Sequence, residues 1–128
     1  MKKRFNPFRQ IFKAKKFAMS FRFAAQGILY LFLYHRNMRI IFMCGLAAFI
    51  LGLYFKLKGI ELIVLCVTVT IVFMAEIFNT AIELMMDSIS EKYHPKIMLI
   101  KDIAAAVVLI ACINALAVGY ALFVRRLF

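Results

Sequence analysis

Glu76, Asn79, Glu83 and Asp87 interrupt an otherwise apolar run that begins at Ile60, at steps of three, four and four residues. On an α-helix this spacing places all four side chains on one stripe. A carboxylate in hydrocarbon costs at least ~2.5 kcal/mol, so the stripe implies a shared polar site, facing other helices or the membrane surface. The chain has six acidic residues, and three of them lie here. Carboxylate and amide oxygens at a membrane surface rich in cations suit magnesium and a polyphosphate.

Phosphoryl transfer needs a metal ion to bridge phosphate oxygens, a cation to neutralise developing charge, and a group that positions or deprotonates the acceptor. Glu83 offers the metal ligand, and Asn79 an oxygen for the ion or the phosphate. Lys101 is a cation for phosphate. Glu76, deeper along the helix, is placed to take a proton from an alcohol arriving through lipid. The plain alternative is that these groups pair with one another for packing. Four of them in register weigh against it, because ionisable groups inside spans are usually functional. The chain has no Walker A loop, GxGxxG, GxSxG or HExxH motif, which excludes soluble-kinase logic and a dinucleotide fold.

The elements that must hold this stripe follow from composition. The 128 residues are 66% hydrophobic, with a mean hydropathy of +0.91, against roughly 45–50% apolar in soluble domains. A chain this short cannot bury so much apolar surface within itself, and lipid must cover it. The expected fold is an all-α integral membrane domain: a basic amphipathic surface arm over 1–38, then transmembrane helices over 39–56, 60–87 and 97–124. The apolar cores of those spans are Ile40–Phe55, Ile60 past Met86, and Ile103–Val124. The 27-residue second run exceeds the bilayer core, so Glu83 and Asp87 should reach the interface.

Ten of the seventeen Lys and Arg residues lie in the first 39 positions, within a net charge of +11. Phe5, Phe8, Ile11, Phe12, Phe17 and Phe21 interleave with them, which favours a helix in the headgroup region over a nucleic-acid ligand. By the distribution of cations the arm is cytoplasmic, the Lys56–Glu61 turn outside and the Ser88–Lys101 connection inside. His35, Arg39, Glu83, Asp87, Lys101 and Asp102 should then converge on one surface. Pro95 suits the start of a helix. Ala104, Ala105 and Ala106, with Ala81, are candidates for close helix approach, and Asn114 for an interhelical hydrogen bond. Cys44, Cys66 and Cys112 have no metal spacing and read as small buried hydrophobes.

The run Glu76-Ile77-Phe78-Asn79-Thr80-Ala81-Ile82-Glu83-Leu84-Met85-Met86-Asp87 resembles the ExxNTAIExxxD signature of the small prokaryotic diacylglycerol kinase and undecaprenol kinase family. The resemblance continues in Ser20–Gly27, in Arg36-Asn37-Met38-Arg39-Ile40 and in Lys101-Asp102-Ile103-Ala104-Ala105-Ala106, and covers about Ala14 to the C-terminus. It implies a homotrimer of three-span subunits in the bacterial inner membrane, with a composite site between subunits. There ATP and Mg2+ would phosphorylate a lipid alcohol, diacylglycerol or undecaprenol. Carried over by position, Glu76 is the catalytic base and Asn79 its polar partner. Glu83 is a metal ligand, and Tyr93, Lys101 and Asp102 lie around the nucleotide. Asp87 completes the signature, and Arg39 belongs to the flanking motif.

One departure bears on chemistry. His35 stands where the family usually has a Glu that helps hold magnesium. Imidazole is a poor ligand for magnesium but acceptable to Mn2+. Two rival functions follow: a catalytically weakened relative that binds nucleotide or lipid or serves as a partner subunit, and a small transporter or channel that uses the stripe as an ion path. The second requires polar groups on the outer half of the second span, where the sequence offers Thr68 and Thr70.

Overall fold

The computed structural model describes the backbone of residues 7–89 and 94–126, with side chains described from residue 16 onward within those ranges. Among the described residues every regular element is helical: α1 (Pro7–Tyr34), α2 (Arg36–Tyr54), α3 (Ile60–Ile89), α4 (Pro95–Phe123) and a terminal 3-10 turn (Val124–Arg126). The chain divides into two compact units, Met1–Arg36 and Asn37–Phe128.

In the first unit, α1 is a single 28-residue helix. The sequence led us to expect a surface arm, yet Lys16–Tyr34 is 19 residues long and apolar enough to cross a membrane, as are α2, α3 and α4. The reason is local: after Arg22 the helix carries no charge through Tyr34, so its cations are confined to the front of an apolar segment. At 1.3, its mean hydropathy is the lowest of the four. The helix ends where the His35 backbone N–H donates to Leu31 O at 2.9 Å.

In the second unit, α3 and α4 pack through Val72, Ala75 and Ala111, with Ile41, Val108, Cys112 and Ala115 against them. Small side chains let two helices approach closely where lipid offers no hydrophobic driving force. Ala104 is buried as expected of a contact residue, whereas Ala81, Ala105 and Ala106 face outward. The close approach on α3 therefore belongs to Ala75. Gly45 does the same for α2, since a methyl there would sit 2.9 Å from Val69 Cγ1.

The α2–α3 turn is a Schellman motif. Lys56 N–H donates to Leu53 O and Leu57 N–H to Gly52 O, at 3.0 and 2.9 Å. Lys56 takes the left-handed position, at φ 54°, where glycine is the usual occupant. Leu57 is buried over Gly52. Arg126 then ties this turn to the end of α4: its guanidinium donates to Phe55 O at 2.8 Å and to Glu61 Oε2 at 2.5 Å.

At its other end α4 opens with Pro95 at the first helical position, and the His94 ring nitrogen accepts from Lys96 N–H. Cys44 and Cys66 are exposed and Cys112 half-buried. The sequence led us to expect all three inside. Cys112 keeps to that expectation in part, packed against the α3–α4 core, whereas Cys44 and Cys66 lie on exposed faces of apolar helices, where a membrane-spanning chain needs no burial by its own protein.

Candidate functional site

The polar stripe of α3 is graded in depth. Glu76 and Asn79 are 4% and 7% exposed, with Thr80 beside them at 2%. Glu83 is half-buried and Asp87 exposed. Over the eleven helical steps from Glu76 to Asp87, about 16 Å, the stripe thus runs from the buried interior to the exposed end. One apolar helix presents a buried carboxylate, a buried amide, a shielded carboxylate and a wet one in order.

The Asn79 amide donates from Nδ2 to Glu83 Oε1 at 3.2 Å, across one helical turn. This orients the amide so that its other end, Oδ1, is buried without a hydrogen-bond partner. A buried unpaired carbonyl oxygen costs about 1–3 kcal/mol, and structures rarely carry such groups without a reason. Asn79 Oδ1 and the Glu83 carboxylate form a pair of hard oxygen donors. Magnesium typically takes one or two protein carboxylates and completes its shell with phosphates and water. The donor set therefore fits a magnesium–nucleotide complex. Among the described residues no three His, Cys, Asp or Glu side chains are grouped to hold a metal by themselves.

On α4, Lys101 forms an ion pair with Asp87. The sequence assigned the lysine to phosphate and gave Asp87 no partner. Their pairing joins the last turn of α3 to the second turn of α4. Asp102 and Arg39 are exposed. Arg126–Glu61 is a second ion pair, at the opposite end of these helices. Tyr93 lies outside the described residues. His35 belongs to the first unit, where its ring stands 5.8 Å from that of Tyr30. Thr80 is a residue that sequence reasoning passed over, although its position four after Glu76 placed it on the same buried face.

Thr68 and Thr70, the outer-half hydroxyls that a permeation path would need, donate to Val64 O and Cys66 O of their own helix, both at 2.8 Å. Hydroxyls engaged this way satisfy themselves inside an apolar helix.

The model of the family described as prokaryotic diacylglycerol kinase matches residues 22–123, which includes every described member of this stripe. The chain belongs to that family. A diacylglycerol kinase of Synechocystis sp. (strain ATCC 27184 / PCC 6803 / Kazusa) is 36% identical over 107 residues, covering 83% of this chain and 61% of the relative. An undecaprenol kinase of Bacillus subtilis (strain 168) is 30% identical over 112 residues, covering 88% and 91% respectively. The chain thus spans about three fifths of the Synechocystis relative's length and nearly all of the other's. Family membership, together with helices of spanning length and apolarity, makes this a bacterial membrane protein of the prokaryotic diacylglycerol kinase type.

Proposed function

We propose that this protein is an ATP-dependent lipid kinase, transferring the γ-phosphoryl group directly to the hydroxyl of a membrane lipid alcohol, diacylglycerol or undecaprenol. The observation that carries the reading is the oriented Asn79–Glu83 pair with its buried, unpartnered Oδ1, one turn from the buried Glu76 carboxylate. The names of the two relatives support both acceptors without ranking them.

In the reaction, a bond forms between the acceptor oxygen and the γ-phosphorus, and the bond from that phosphorus to the β,γ-bridging oxygen breaks. Glu76 takes the acceptor proton, and ADP carries away the leaving oxygen. Its depth suits an alcohol that arrives from the hydrocarbon. Glu83 and Asn79 Oδ1 would hold magnesium, which would supply neutralisation of charge on the phosphates. Lys101 contacts phosphate, and Asp102 lies beside the nucleotide.

The site faces the cytoplasm, where ATP is, as the distribution of Lys and Arg along the chain favours. The protein works as a homotrimer. In support, Asn114 lies within α4, exposed and without a hydrogen-bond partner among the described residues. An amide in that position favours a neighbouring helix over lipid.

The test is transfer of label from [γ-32P]ATP in detergent micelles, with diacylglycerol and undecaprenol supplied separately, under magnesium and then manganese. Labelled lipid with at least one acceptor is expected, and Glu76→Gln should lose it. No labelled lipid from well-folded protein under either metal overturns the reading.

A further inference from the structure

We propose that Asp87 is the positioning residue for Lys101, holding its ammonium at the rim of the site for the nucleotide phosphates. This rests on the lipid-kinase reading above.

The two residues are fourteen apart and sit on different helices. Their side chains are 62% and 34% exposed, and an ion pair so open to solvent adds little to folding. What it does is geometric. A lysine ammonium on a flexible four-carbon stem is a mobile point charge. Anchored to Asp87 Oδ1, it is drawn back from α4 across to the α3 stripe, one turn beyond Glu83. An ammonium has three donors, so one bound by Asp87 leaves two for phosphate oxygens. The anchor and the ligand are therefore compatible, and the lysine meets phosphate already oriented.

The stripe accordingly divides its work. Asn79 and Glu83 serve the metal side of the nucleotide, and Asp87 acts through α4 on its phosphate side. Partial exposure also has a use here. A pair sealed from water would be too tightly held to adjust to an incoming triphosphate, while this one is screened enough to turn.

Three measurements on the full-length protein in micelles test the assignment. The first is the rate at which Lys101 is acetylated by a small amine reagent, read by peptide mass spectrometry. Asp87→Asn should raise it several-fold, and an unchanged rate overturns the pairing whether or not the protein is a kinase. The second is MgATP affinity, by displacement of a fluorescent nucleotide, across a double-mutant cycle. Asp87→Asn should weaken binding about 10-fold in the native background and less than about 2-fold beside Lys101→Met. Equal losses in both backgrounds would mean that Asp87 acts on structure alone. Tighter binding in Asp87→Asn would mean that it competes with phosphate.

The third measurement is turnover. Asp87→Asn should lower kcat/KM for MgATP without raising KM for the lipid, and Asp87→Glu should recover part of the loss. A rise in lipid KM alone contradicts the assignment. Absence of lipid phosphorylation in the unmutated protein defeats the kinase reading, and the acetylation and binding results still decide the role of Asp87.

Discussion

Replacing Asn79 by leucine separates what this residue does for stability from what it does for chemistry. The native amide gives one hydrogen bond to a carboxylate, Nδ2 to Glu83 Oε1 at 3.2 Å, worth about 1.5–3 kcal/mol for a bond to a charged group. It also leaves Oδ1 buried and unpaired, a penalty of about 1–3 kcal/mol that the substitution removes. Leucine is apolar and shares asparagine's branching and heavy-atom count, so no cavity follows at a site 7% exposed, although its methyls are bulkier than the amide. The two terms oppose, and their net should lie within about 2 kcal/mol of zero. Activity should behave differently. Removing an oxygen that holds the metal or orients its carboxylate ligand costs typically about 10–100-fold. The assay pairs thermal unfolding in micelles with initial rates of lipid phosphorylation over a magnesium titration. Expected are an unfolding midpoint close to native and a rate lower by at least ~10-fold, with a raised magnesium requirement. A variant as active as the native protein would refute the role given to Oδ1. A loss of more than about 3 kcal/mol in stability would show that the amide is a structural fixture.

His35→Glu should raise magnesium-dependent turnover by restoring a carboxylate where imidazole is a poor ligand; a rate unchanged or lower under saturating magnesium counts against His35 at the metal. Gly45→Val should destabilise the contact of α2 with α3 by about 1–3 kcal/mol, because a methyl already falls 2.9 Å from the stiff Val69 side chain; chemical unfolding measures it. Lys56→Gly should stabilise the protein by about 1 kcal/mol, since it relieves a left-handed φ of 54° at the cap of α2, and a lower midpoint of unfolding would contradict that account.

The α3 stripe was legible because helical periodicity translates spacing directly into a face, and because its residues are few against an apolar background. The pairing of Asn79 with Glu83 is of the same kind, a neighbour one turn away. Of Lys101 and Asp87 only their convergence on one surface was legible; their direct pairing depends on the relative rotation of two helices across a connection whose geometry no local pattern encodes. The Schellman cap escaped notice for a different reason: the left-handed position is filled by Lys56, while the expected glycine, Gly59, comes three residues later. The basic arm expected over 1–38 and a span over Lys16–Tyr34 share one stretch of sequence, because the residues after Arg22 are uncharged and apolar enough for either. Cys44 and Cys66 were placed inside by the logic of water-soluble cores, in which small apolar groups have nowhere else to go.

Arg126 has a practical consequence for anyone who handles this protein. Its guanidinium bridges the final 3-10 turn to Phe55 O and Glu61, so the last described turn of the chain doubles as a bolt on the hairpin between the second and third helices. Ending a clone at Phe123 would leave all the long helices in place while unfastening that hairpin. A fluorescent reporter or affinity handle is best attached beyond Arg126 through a spacer long enough to leave the bolt seated.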